Sequence, residues 1–343
     1  MDYLLVLGGL ALLIFGGEGL VRGSVSVARK MNISELVIGL TLVGFGTSMP
    51  EMVTSLRAIE SGAVGISIGN VIGSNVANIL LVLGLAALIR PILTNPRALQ
   101  RDAAVVVAAT AAVCALIYFD AFSRVSGFLM LFALIAYIAF SLWADQKGDT
   151  PAAEMHAEES ELVAAEFGVI KGLVIAVIGL AGIIYGASLL VDGAVGIARA
   201  IGVSEAVIGM SIVAIGTSLP ELATSVIAAT RGRADVALGN VIGSNIFNIL
   251  GILGVTALVH PFSVMQNHAG DLSGEAMELG AGQSIVTTTD IGALVLSLFF
   301  LLLFGITGKK IARWEGGVLL AGYVLYMGLL FDFIPVPALL PNG

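Results

Sequence analysis

Long apolar runs separated by short polar stretches dominate the chain. Ten of them approach or exceed the roughly 20 residues that a helix needs to cross the hydrocarbon layer of a bilayer. They cover approximately residues 3–27, 33–58, 63–89, 103–119, 125–143, 168–191, 203–229, 236–259, 289–307 and 314–333. Strands of a membrane barrel would alternate apolar and polar positions over about ten residues, and these runs do not. The pattern therefore predicts an all-α integral membrane protein with ten transmembrane helices.

Composition agrees with lipid as the main solvent, because 58% of the residues are hydrophobic and 12% are charged. The net charge of −8 matters less than its distribution. With the N-terminus outside, thirteen Lys and Arg residues fall at inner ends of spans, whereas only Arg57, Arg124 and Arg199 fall outside. That bias satisfies the positive-inside rule and, with an even number of spans, places both termini outside a cell membrane. The first run follows only Asp2 and ends without a small-residue cleavage site, so it reads as a retained helix. The single cysteine, Cys114, leaves no disulfide framework.

An internal repeat divides the chain. Ser34 to Ala58 realigns with Ser204 to Ala228 at a constant offset of 170 residues without a gap. The same offset carries GNVIGSNVANILLVLG, from Gly69 to Gly84, onto GNVIGSNIFNILGILG, from Gly239 to Gly254. Residues 1–144 and 168–343 then hold five spans each, with an acidic cytoplasmic linker at 145–167. Because five is odd, the second copy enters the membrane from the opposite side. Two inverted-topology five-helix repeats, with broken helices meeting near the midplane, form a pattern of secondary transporters.

Chemistry concentrates at GFGTSMPE, Gly44 to Glu51, and AIGTSLPE, Ala214 to Glu221. Proline in the middle of an apolar run removes a backbone donor and clashes with the preceding turn, so each helix is expected to break just before Pro50 or Pro220. Carbonyls of Thr47, Ser48, Thr217 and Ser218 are expected to be freed there, and carbonyl oxygens suit a hard cation. Glu51 and Glu221 follow directly. A carboxylate at membrane depth needs a partner, and no Lys or Arg lies nearby in the middle of any span. The third and eighth spans add Asn70, Ser74 and Asn78, and Asn240, Ser244 and Asn248, each set four residues apart on one helical face. Two glutamates, carbonyls and amides supply the six to eight oxygens that calcium takes. Two carboxylates are balanced by one divalent or two monovalent ions, so competition for one pocket becomes exchange.

Plainer readings hold elsewhere. Ser34 with Glu35, and Ser204 with Glu205, read as helix N-caps followed by first-turn acids, and Glu18 with Arg22 as a pair along one helix. His156, His260 and His268 are scattered outside the spans and suggest no metal cluster.

At its two glutamate motifs the chain resembles the cation/calcium exchanger superfamily, GTSMPE and GTSLPE matching the signature repeats and both GNVIGSN segments the helices that follow. The resemblance implies sodium-driven calcium extrusion with Glu51 and Glu221 as central ligands, supported by Gly44, Thr47, Ser48, Ser74, Asn78, Ala214, Thr217, Ser218, Ser244 and Asn248. Potassium-dependent relatives, and some prokaryotic ones, carry aspartate where this chain has Asn248, which argues against potassium coupling. Calcium and sodium are then transported ions, no cofactor or nucleic acid is implied, the protein is not an enzyme, and a monomer is the expectation. The competing readings are a proton- or potassium-coupled cation antiporter, a calcium channel, and an intramembrane hydrolase. The hydrolase lacks a positioned His, Lys or Cys.

Overall fold

A computed structural model describes residues 1–94, 96–146, 167–201, 214–264, 288–307 and 310–330. The expected helix caps at Ser204 and Glu205, nearly all of the linker, and His156 and His268 lie outside them. The helices are α1 (Asp2–Lys30), α2 (Glu35–Thr47), α3 (Met49–Glu60), α4 (Val64–Ile89), α5 (Pro96–Tyr118), α6 (Arg124–Gln146), α7 (Val169–Ala200), α8 (Leu219–Thr230), α9 (Ala234–Val259), α10 (Thr288–Thr307) and α11 (Arg313–Leu330). Seven of them are long and apolar enough to span a bilayer. The α2–α3 pair, bent by 44° between Thr47 and Met49, makes an eighth candidate span.

Buried side chains place the centre of the molecule. In α4 and α9, 72% and 89% of the apolar window is buried, against 28–33% in the other five long helices. The outer helices therefore turn their apolar faces to lipid, while α4 and α9 are enclosed by protein. Among the described residues, three π-helical turns interrupt the regular pattern, at Gly39–Val43, Asn78–Leu83 and Phe247–Ile252. Such turns commonly re-aim side chains at functional positions. Here they lie just before the first break and at Asn78 and Asn248.

The longest helix contact joins α1 to α7. Gly9, Gly16 and Gly23 recur every seven residues on α1, as do Gly172, Gly179, Gly186 and Gly193 on α7. A Cβ on Gly179 would lie 2.4 Å from the Leu20 amide nitrogen and 2.5 Å from the Gly16 carbonyl. Backbone against backbone at that separation is possible only with no side chain, as in other small-residue helix pairs in membranes. The 170-residue offset extends to these helices too, pairing Gly9, Gly16, Gly23 and Arg29 with Gly179, Gly186, Gly193 and Arg199.

The N-terminus of α2 is pinned as its sequence predicts. The Ser34 hydroxyl accepts from the Val37 amide, and the Asp145 carboxylate accepts from the Ser34 amide. Glu35 does more than serve the helix dipole, because Arg29 and Arg233 both donate to Oε1, at 3.1 and 3.0 Å. Glu18 is 3.6 Å from Arg22, as its spacing suggests, and 2.7 Å from Arg231.

Candidate cation site

Both breaks take the same shape. Ser48 (φ −86°, ψ 9°) and Ser218 (φ −86°, ψ 3°) leave the helical region at the junction, and α3 and α8 restart with proline in the first turn. Proline is tolerated there because its missing N–H would have no intrahelical acceptor. The expectation of freed carbonyls needs correction at two positions. Ser48 and Ser218 accept from the amides of Met52 and Leu222, at 3.2 and 3.0 Å, so each break is a sharp corner with an immediate restart. One lone pair on each oxygen stays available. The Gly44 carbonyl gathers donors instead, from the Ser48 amide, the Thr47 hydroxyl and, at 3.0 Å, the Ser244 hydroxyl of α9.

Glu51 and Glu221 occupy the first turns of α3 and α8 and are 1% and 0% exposed. A helix N-terminus carries partial positive charge, which favours a carboxylate where no cationic side chain among the described residues pairs with it. The two carboxylates lie within electrostatic reach of each other. Their surroundings differ. The Ser48 hydroxyl donates to Glu221 Oε1 at 2.8 Å, so the corner of one repeat holds the acid of the other. Among the described residues, neither oxygen of Glu51 nor Oε2 of Glu221 has a hydrogen-bond partner.

The amide-bearing faces meet the broken helices. Asn240 donates to the Glu221 carbonyl (3.2 Å) and to Ser225 (2.8 Å), and it accepts from Thr47 (3.1 Å). Asn70 repeats the first two contacts on Glu51 and Ser55, at 3.3 and 2.9 Å. These asparagines fix the backbone beside each glutamate. Close approach of α9 to α2 depends on Gly243, where a Cβ would lie 2.1 Å from the Leu40 carbonyl.

Asn78 and Asn248 are fully buried. Asn78 Oδ1 and both polar atoms of Asn248 have no partner among the described residues. Asn78 Nδ2, by contrast, donates to Asn245 Oδ1 at 3.1 Å, and Asn245 Nδ2 lies 3.5 Å from the Asn75 carbonyl. Sequence reasoning passed over Asn75 and Asn245, although the repeated GSN tripeptide marks both. It also missed Thr224, whose buried hydroxyl is unpartnered one turn beyond Glu221.

The structure thus joins Glu51, Glu221, Thr47, Ser48, Gly44 and Ser244 into one constellation. Ser74 and Ser218 are buried, Thr217 is half-buried, and Ala214 opens a short helical turn at Ala214–Gly216. None of these four makes a described hydrogen bond to either glutamate. The unpartnered atoms are mainly acceptors, and a buried acceptor left unmade costs about 1–3 kcal/mol. Such a cluster suits a cation.

Comparison with known proteins gives the same direction. Residues 1–143 and 171–331 match the family model described as sodium/calcium exchanger protein. The chain is 35% identical to the sodium/calcium exchanger MaX1 of Methanosarcina acetivorans, over 96% of this chain and 99% of that protein. It is 31% identical to the inner membrane protein YrbG of Escherichia coli, over 97% of each. Among solved structures, the sodium-calcium exchanger NCX_Mj superposes with a TM-score of 0.77 at 36% identity, covering 96% of this chain and 98% of that one.

Proposed function

Because the chain belongs to the sodium/calcium exchanger family, we propose that it expels calcium against inward-moving sodium at a midplane site centred on Glu51 and Glu221. The observation that carries the site is the set of unpartnered buried acceptors on Glu51, Glu221, Asn78 and Asn248. Two carboxylates balance one calcium or two sodium ions, and carbonyl and amide oxygens complete the coordination that calcium needs. Asn248 is neutral, so the pair alone sets the formal charge of the site.

In this reading ten spans form two inverted repeats, with the termini outside and the linker within. Equivalent residues then lie on opposite sides of the glutamates. Thr54 is exposed while its equivalent Thr224 is buried, and Arg57 is exposed while its equivalent Ile227 packs on Gly17. That asymmetry supports an outward-facing conformation, and helices sliding about the site would close it outside and open it inside.

Radiolabelled calcium uptake into reconstituted vesicles tests the proposal. Uptake is expected to require an outward sodium gradient, and Glu51→Gln or Glu221→Gln is expected to abolish it. Uptake that ignores the gradient would indicate a channel; full activity in either variant would remove the carboxylates from the site.

A further inference from the structure

A cavity of about 220 Å³ lies between α7 and the two helix corners. Its lining includes Pro50, Ser188, Asp192, Gly216, Thr217 and Pro220. Both prolines that precede the glutamates therefore border it, as does Thr217, one of the ligands implied by resemblance. Among the described residues, Asp192 is its one lining carboxylate. That side chain is exposed and has no hydrogen bond or ion pair among the described residues.

Asp192 is not a relic of the repeat. The equivalent position on α1 is Arg22, and Ser188 is the equivalent of Glu18. On α1 those two residues pair with each other, and Glu18 also pairs with Arg231. The acid on α1 is thus neutralised by two arginines, whereas the acid on α7 faces open space. One turn outward from Asp192, a Cβ on Gly196 would lie 2.5 Å from Asp2 Oδ2, so a second carboxylate borders the same stretch of α7. An acid in a cleft with low-dielectric walls concentrates cations by focusing the field.

We propose that Asp192, with the Ser188 hydroxyl beside it, is an outer docking site where a hydrated calcium or sodium ion pauses before passing Thr217 to the glutamates. This site rests on the exchange reading above and on the outward placement of the C-terminal half of α7. Its role is recruitment, so it acts on apparent affinity from one face of the membrane and leaves the turnover step alone.

The test uses the full chain in vesicles of single orientation. The KM for calcium is measured at each face, at about 20 mM and about 500 mM ionic strength, where the screening length differs several-fold. Asp192→Asn is expected to raise the outer-face KM by about three- to fivefold at low ionic strength, the scale of one lost unit charge in water. The wild-type value is expected to return at high ionic strength, with kcat and the inner-face KM unchanged. Asp192→Glu is expected to behave as wild type, and Asp192→Ser replaces the asparagine variant if that protein does not accumulate. An unchanged outer KM at low ionic strength overturns the proposal. So does an increase that persists in high salt or appears at both faces, which marks lost packing. Glu221→Gln in the same vesicles separates the two ideas, because continued exchange by that variant strikes at the central site and says nothing against docking.

Discussion

Asn78 and Asn248 occupy equivalent places in the two halves, yet among the described residues only Asn78 has a side-chain partner. Asn245 accepts from its amide nitrogen and so turns Oδ1 away from that contact. The opposite orientation would set two amide oxygens against each other. Asn75 does not return the favour, because its Nδ2 donates to the Val71 carbonyl of its own helix at 2.7 Å. Asn245 is thus a positioning residue for Asn78, a ligand in the proposed site. Asn245→Ala is expected to raise the calcium KM about fivefold, the effect of one net hydrogen bond of about 1 kcal/mol. In an Asn78→Ala background the same change should add almost nothing, and additive effects in that double-mutant cycle would disprove the link. Ser48→Ala removes a hydroxyl that donates to Glu221 Oε1 and is expected to weaken calcium binding by a similar factor, read by isothermal titration. The GTSxPE and GNVIGSN repeats made the residue types of the proposed site legible. They did not reveal which copy is held, because the deciding contacts join residues 173 and 167 positions apart.

At the scale of helices, the corners at Ser48 and Ser218 were legible because proline and glycine in an apolar run have few other uses. The extent of each break was not, since that depends on whether the next helix can restart within one turn. The α1–α7 pair was hidden in a different way. Its glycine spacing is plain in the sequence, but the spacing alone does not say which helix is the partner. Gly179→Val should therefore be costly, with overpacking typically about 1–3 kcal/mol, and is expected to lower the midpoint of thermal unfolding in detergent. Gly8→Ala is the control, because a Cβ there meets nothing within 4 Å. Equal losses from the two changes would show that the glycine contact does not hold the pair together.

For the whole molecule the alternating-access reading turns on orientation. Glu60 and Thr230 are both exposed and hold the same repeat position at the ends of α3 and α8. Inverted halves put them on opposite sides of the membrane. In a Cys114→Ala background, Glu60→Cys is expected to react with an impermeant maleimide from outside and Thr230→Cys only from within. Labelling of both from one side would make the repeats parallel and would undo the alternating-access reading with them.

The sequence by itself determined that this is a helical membrane protein with a duplicated, proline-broken carboxylate motif, because hydropathy, exact repetition and proline chemistry are properties of the chain alone. It also pointed to the family that the comparisons then showed. Tertiary structure decided the rest: that Ser48 reaches the far glutamate while the Glu51 carboxylate has no described partner, that Asn245 orients Asn78, and that Asp192 faces a cavity while Glu18 also meets Arg231. Each depends on packing between segments more than a hundred residues apart, where near-identical repeats meet unlike neighbours and the symmetry of the sequence is lost.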